Sequence, residues 1–242
     1  MIIPDSHSPH INSLCLFKIS SYDTFDITKI FRGAPMCTRY FLSPRTTELK
    51  PIIESAKSSP LAQRFALQLC APVKTEGEIR PTDVVPVLAP KPRGEQAVYP
   101  MRWGYAGKTK DSKILLNARS ETANQKPTFK FDWYNHRCII PASYYFEWEH
   151  LRKTDGSTET GDRYMIQPKD SEVTWLCGLY HIEGNFPTFV VLTREPSPDI
   201  AFIHDRMPLI LPSSLIGDWI RPGGEPERLM ERVLVEMVAE KG

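Results

Sequence analysis

Twenty-two prolines in 242 residues, about twice the usual share, limit this chain more than any other feature. A proline inside a helix removes a backbone hydrogen bond and clashes with the preceding turn. Long helices are therefore not expected, and short elements joined by many turns are. The apolar segments agree. "DVVPVLAP" and "GEQAVYPMRWGYAG" have the β-branched and aromatic content of strands, with Pro and Gly marking their ends.

Further strands are expected in "CTRYFL", "RYMIQP", "VTWLCGLYHIEG" and "FPTFVVLTREP". "RCIIPASYYFEWEH" is the strongest, because Tyr145, Glu147 and Glu149 alternate with Phe146 and Trp148. "SPRTTELKPIIESAKSS" reads as helical, with Ser43 as N-cap, Pro44 at the first helical position and a break near Pro51. "PSSLIGDWI" reads as a short capped helix. "EPERLMERVLVEMVAE" repeats apolar residues at Leu229, Val233 and Met237, which is a helical period. Many strands, few helices and no βαβ rhythm make this an α+β chain: strand-rich, with a largely antiparallel, barrel-like core flanked by short helices. Residues 1–35 are polar and unpatterned and are expected to be an unstructured extension, with one domain over residues 36–242.

The formal net charge of +1 excludes a general polycation, so nucleic-acid binding would need a local patch. Residues 101–140 offer one: Arg102, Lys108, Lys110, Lys113, Arg119, Lys126, Lys130 and Arg137 against Asp111, Glu121 and Asp132. A solvated basic face accounts for such a run when charge alone is considered. The five cysteines are scattered, with no CxxC pair and no Cys/His cluster at zinc spacing. That pattern predicts no metal site, a reducing compartment and no structural disulfides. No apolar run is long enough for a membrane span and the N-terminus is a poor signal peptide, so a cytoplasmic location is expected.

Four residues carry possible chemistry. Cys37, taken alone, suits a small buried hydrophobe on a strand. Asn117 in "LLNARSET" suits a turn or cap. Glu147 lies within an aromatic run and would have a raised pKa if buried, though strand alternation equally allows it to face outward. His204 in "IAFIHDRMPLIL" suits a satisfied core histidine.

Their company is more specific. "MCTRYF", "GEIRPTD", "RWGY", "NARSET", "RCIIPASYYFEW" and "IHDRMPLIL", in this order and at these separations, resemble the SOS-response-associated peptidase family, the abasic-site processing proteins. The resemblance runs from Met36 to about residue 240. It implies that the initiator Met is removed and that the exposed N-terminal cysteine, here Cys37, bonds covalently to abasic sites in single-stranded DNA. It also implies catalytic roles for Asn117, Glu147 and His204, phosphate contacts from Arg39 and Arg119, and base contacts from Trp103 and Trp148. No cofactor or metal is implied, and a monomer is the default. Two departures stand out: Thr38 where members often have Gly, and "GEIRPTD" where some have "YNVAPG".

The chemistry suits those groups. An open-chain deoxyribose is an aldehyde, and an α-amine titrating near 7.7–8.0 attacks it more readily than a lysine. The thiol on the neighbouring carbon then closes a thiazolidine, an intramolecular step. The same imine could lead to strand cleavage by β-elimination. Two alternatives remain open: a cysteine peptidase using Cys37, His204 and Glu147, which includes self-release of Cys37, and a non-covalent single-strand binder needing only the arginines and tryptophans. The thiazolidine reading requires Cys37 to come first. Met36 is accordingly expected to be the true start, or else residues 1–36 are removed as a propeptide.

Overall fold

The computed structural model describes residues 38–107 and 112–242; Cys37, the 1–35 extension, Lys108, Lys110 and Asp111 lie outside them. The strands in chain order are β1 (Arg39–Leu42), β2 (Gly77–Ile79), β3 (Val84–Pro90), β4 (Gln96–Trp103), β5 (Asn117–Arg119), β6 (Arg137–Ala142), β7 (Tyr144–Arg152), β8 (Thr158–Pro168), β9 (Thr174–Glu183), β10 (Phe186–Arg194), β11 (Met207–Pro208) and β12 (Met237–Lys241). The helices are short: α1 (Leu49–Lys57), α2 (Pro60–Leu69), α3 (Ser120–Ala123), α4 (Lys130–Asn135), α5 (Ile216–Ile220) and α6 (Pro226–Leu229).

Five strands close on themselves in the order β10-β4-β3-β6-β9, because β9 pairs back onto β10. Only the β10–β4 joint is parallel; the other four are antiparallel. Closure leaves none of these strands with an open edge. It also explains why every residue of β3 and of β6 is buried: one face fills the barrel and the other is covered. Prolines are accommodated by pairing. Pro86 stands opposite Pro100, so two missing donors share one rung of the β3–β4 ladder. A second sheet, β12-β8-β7-β1-β2, is wholly antiparallel. It joins the barrel through Ser143, whose N–H donates to the Phe41 carbonyl at 2.8 Å. The strand-rich α+β domain with a barrel core is thus the observed architecture.

Three local readings are corrected. The first helix starts at Leu49, not Pro44; Ser43 instead accepts from the Arg45 N–H at 3.3 Å in a turn. Pro51 does not break that helix, because it falls in the first turn, where its missing N–H has no intrahelical partner. The C-terminal helical period stops after α6 and one 3₁₀ turn over Met230–Arg232. Met237 then starts β12, where pairing to β8 satisfies a whole strand edge and buries the Met237 side chain. Among the described residues, Cys138 and Cys177 are free and buried.

The basic run divides when placed in the fold. Lys113, Arg119, Lys126 and Lys130 are exposed, but Arg137 is 1% exposed and structural. Its Nε donates to the Trp219 carbonyl at 2.6 Å, Nη1 to Trp133 at 2.6 Å and Tyr134 at 3.0 Å, and Nη2 to Arg221. One guanidinium therefore closes the carbonyl ends of α4 and α5 together.

A polar cluster ties α4 to β9. Asp132 accepts from Tyr105 Oη at 3.1 Å and contacts Nδ1 of His136 at 2.9 Å and of His181 at 3.2 Å; His181 Nε2 also meets Glu183 at 2.7 Å. Burial opposes charging His181, but the two carboxylates outweigh it and hold its pKa above the ordinary 6.5. The stability this contributes is fully present below the ordinary value and lost as pH rises through the folded one. Asp132 behaves oppositely: burial is outweighed by its histidine bonds, its pKa lies below the ordinary 3.8, and its contribution is lost on strong acidification. The melting-temperature advantage of the wild type over His181→Gln is therefore expected to be largest near about pH 5–6 and to shrink toward about pH 9. Thermal unfolding across that range measures it, and a pH-independent difference would remove the ion-pair account.

Candidate active site

β7 is interior to its sheet, with β1 on one side and β8 on the other. Tyr145, Phe146 and Glu147 are consequently all buried, and the simple alternation expected for this stretch does not hold. Glu147 is 2% exposed and its Oε1 accepts from the Trp148 N–H at 3.2 Å. In the β1–β7 register Arg39 pairs with Phe146, so Glu147 lies one residue past that rung, at the end where β1 begins.

Beyond Trp148, which is half-buried, the β7–β8 register shifts between Trp148 and His150. Such an irregularity re-aims the strand. His150 then donates its backbone N–H to the Ile203 carbonyl at 2.9 Å, which fastens the loop carrying His204 onto β7. The His150 and His204 rings lie 3.9 Å apart, centroid to centroid. His204 is 5% exposed. Burial, with help from His150 and Arg206 and against Asp205, pushes its pKa down to about 4. The ring is therefore neutral at pH 7. The Arg206 N–H donates to Nδ1 at 3.0 Å, which puts the neutral ring's proton on Nε2. Asp205 Oδ1 also stands 2.9 Å from Nδ1, a contact that favours only the protonated ring and is outweighed. Nε2 is buried without a hydrogen-bond partner among the described residues. His204 is thus a neutral ring with an Nε2–H to donate, not a charged imidazolium.

Arg206 joins two motifs. Its guanidinium grips both Glu121 oxygens, at 2.7 and 2.8 Å, and the Thr193 carbonyl at 2.8 Å. Burial disfavours the Glu121 carboxylate, but the Arg206 bonds outweigh it and its pKa falls below the ordinary 4.5. Glu121 follows β5, which carries Asn117 and the exposed Arg119 in parallel register with Val191 and Thr193. "NARSET" and "IHDRMP" are therefore held on one strand, β10. Arg206 and Glu121 are positioning residues that sequence reasoning passed over; their separation of 85 residues hid the pair.

Trp103 is corrected. It is 0% exposed, lies between Tyr40 and Phe189, and donates Nε1–H to the Leu116 carbonyl at 3.0 Å. It has no face to offer a base and instead anchors the chain just before Asn117. The next residue, Gly104, has φ +114° and a site where a Cβ would lie 2.4 Å from Ile114 Cγ2, so only glycine fits. Trp103→Phe removes one of the two donors to the Leu116 carbonyl, which keeps the Val191 N–H at 3.0 Å, and is expected to cost about 0.5–1.5 kcal/mol in denaturant unfolding. A base-stacking tryptophan would instead weaken DNA binding with no loss of stability.

Arg39 sits within a larger group than the sequence suggested. Glu78 takes Arg39 at 3.0 Å, Arg80 at 3.1 Å and Arg163 at 3.6 Å, so one carboxylate faces three guanidinium groups. The surplus positive charge suits a phosphate. The signal for Arg80 lay in "GEIRPTD"; Arg163, on β8, had none. Among the described residues, the cavity lined by residues 70–76 and 82–84 contains none of these groups.

A closed barrel with an appended sheet, carrying a buried carboxylate on β7 and a buried imidazole on the loop fastened to it, defines a distinct class of strand-rich α+β protein. The chain belongs to the SOS response associated peptidase (SRAP) family, whose family model matches residues 36–241. It is similar to the abasic site processing protein YobE of Bacillus subtilis, 37% identical over 144 residues, covering 55% of this chain and 64% of that one. It is also similar to the abasic site processing protein YedK of Escherichia coli, 29% identical over 126 residues, covering 50% and 54%. The chain thus matches about half to two-thirds of the length of these curated relatives. A crystal structure of a protein from Bacteroides thetaiotaomicron shares the fold, with TM-score 0.61 and 21% identity over 85% of this chain and 91% of that one. Among the described residues, no helix is long and apolar enough to cross a membrane.

Proposed function

We propose that this chain processes abasic sites in single-stranded DNA by covalent capture, with Cys37 as the N-terminal residue of the active form after removal of Met36. The observation that carries the reading is the buried Glu147 carboxylate beside the start of β1. Cys37 stands two positions before Arg39 in the sequence, so covalent connectivity alone keeps its Cα within about 7 Å of that strand. The names of the relatives add support, since each is an abasic site processing protein.

In this reading the α-amine of Cys37 attacks the sugar aldehyde, Glu147 takes the amine proton, and water leaves to give an imine. The thiol adds to the imine carbon and its proton goes to nitrogen, closing the thiazolidine. His204 donates Nε2–H to the sugar oxygen as negative charge develops there. Asn117 orients the amine or the sugar. Arg39, Arg80, Arg163 and Arg119 hold the flanking phosphates, and the half-buried Trp148 stacks on a base. The family description also names a peptidase. The same residues would serve one, with Cys37 as nucleophile, and self-release of Cys37 is the peptide cleavage such a site would perform if residues 1–36 are a propeptide.

A denaturing gel with single-stranded DNA carrying one abasic site tests the reading. Protein starting at Met36 should give a heat-stable shifted band that Cys37→Ser abolishes. A band from protein starting at Met1 should appear only if its mass shows Cys37 first. No shifted band from a folded Met36 form would sink covalent capture.

A further inference from the structure

The two faces of the second sheet differ in character. Tyr40, Leu42, Ile79, Tyr145 and Ile166 share one face and are buried. Side chains alternate along a strand, so their neighbours take the other face. There Arg39, Phe41 and Tyr144 are only half-buried. Pairing sets Phe41 between Glu78 on β2 and Tyr144 on β7. The Phe41 and Tyr144 rings stack, 5.0 Å between centroids and 7° from parallel, and Phe146 meets Tyr144 edge-on at 5.3 Å. Arg163 lies 4.6 Å over the Phe146 ring and reaches Glu78 at 3.6 Å, so from β8 it crosses β7 and β1 to β2. Arg39 and Arg80 share the same carboxylate. Burial raises the Tyr144 pKa against Arg163, with Glu78 adding to the rise, so the hydroxyl keeps its proton.

We propose that this face is a subsite for the intact single strand beside the lesion: Arg39, Arg80 and Arg163 seat a phosphate, a base stacks on the Phe41–Tyr144 pair, and Glu78 limits how tightly both are held. The proposal rests on the reading that single-stranded DNA is the substrate, and it names where the undamaged part lies. Three guanidinium groups around one carboxylate leave surplus positive charge beside an aromatic pair. That combination holds single strands with little regard to sequence. Arginine forks also match phosphate oxygens in geometry. Covalent connectivity keeps Phe41, four positions after Cys37, within about 14 Å of the capturing residue. Glu78 has two effects. It converges the three arginines before DNA arrives, and its charge opposes a phosphate at the same place. Intact DNA is thereby held weakly, and retention is left to capture at the lesion. No covalent bond forms or breaks at the subsite.

Fluorescence anisotropy of the full chain with a labelled, undamaged oligothymidylate reads this binding without capture. A strand of equal length made of tetrahydrofuran spacers carries phosphates but neither bases nor aldehydes. Phe41→Leu should weaken thymidine-strand binding about fivefold or more and leave spacer-strand binding unchanged. Arg80→Ala, at a side chain 59% exposed, should weaken both and lower the slope of log affinity against log salt by about 0.7. Glu78→Gln should tighten both about fivefold, the effect of removing one repelling charge at contact distance in water. Arg228→Ala, on α6, should change neither. No saturable thymidine-strand binding at low salt, or equal losses on both strands in folded Phe41→Leu, would overturn the stacking pair. An unchanged salt slope in Arg80→Ala would overturn the phosphate seat, and binding no tighter in Glu78→Gln would remove its restraining role. Undamaged DNA has no aldehyde, so failure of covalent capture leaves these readings intact. A chain that crosslinks abasic DNA yet shows none of them would sink the subsite alone.

Discussion

Replacing Glu147 with Gln is expected to slow crosslink formation by about 10²- to 10⁴-fold, the usual contribution of a positioned general base. The substitution keeps volume and shape on a strand buried on both sides. The Gln amide oxygen can still accept the Trp148 N–H that Glu147 accepts now. What disappears is the basic oxygen that, in the proposed reaction, takes the proton of the attacking amine. Single-turnover crosslinking, with the melting temperature measured alongside, separates chemistry from folding. A rate within about threefold of wild type in a folded protein would remove Glu147 from the proton transfer.

Arg137→Met is expected to be the most damaging structural change in the basic run, lowering stability by about 2–4 kcal/mol. For a chain of this size that corresponds to a fall in melting temperature of roughly 10 °C. The guanidinium donates to four carbonyls at the ends of α4 and α5. Methionine fills the space and leaves the Trp133 and Trp219 carbonyls without this donor, while the Tyr134 and Arg221 carbonyls keep the Gly223 and Gly224 N–H groups at 3.1 and 3.3 Å. Burial pulls the Arg137 pKa down to about 10, with Glu227 opposing, so the group remains charged at neutral pH. Arg137→Lys should recover only part of the loss, because one ammonium cannot span both helix ends. A melting temperature within about 2 °C of wild type for Arg137→Met would show that the helix ends are satisfied otherwise.

The strand content was legible because β-branched and aromatic runs bounded by Pro and Gly carry their own signal, and β3, β4, β6, β9 and β10 fall where those runs lie. Element ends were less legible. Met237 fits a helical period equally well, and only the free edge of β8 draws it into a strand. For the site, the motif order identified Glu147 and His204, and both prove buried. The character of His204 was not legible, since a pKa near 4 arises from burial and from His150, 54 residues away in the chain. Trp103 shows the opposite failure. A tryptophan in a motif suits a base as well as a core, and the partners that decide, Leu116 and Phe189, come from other segments.

The sequence by itself determined the class of fold and the family and nominated the candidate site residues, because each is carried by local composition or by short ordered motifs. Tertiary structure alone decided which charges are free and which are spent. Arg137 and Arg206 look like surface cations in the sequence and are fastened inside. His150 looks ordinary and meets His204 only when β7 and the following loop are pinned together. Burial and pairing are properties of neighbours, and chain folding brings those neighbours from dozens of residues away.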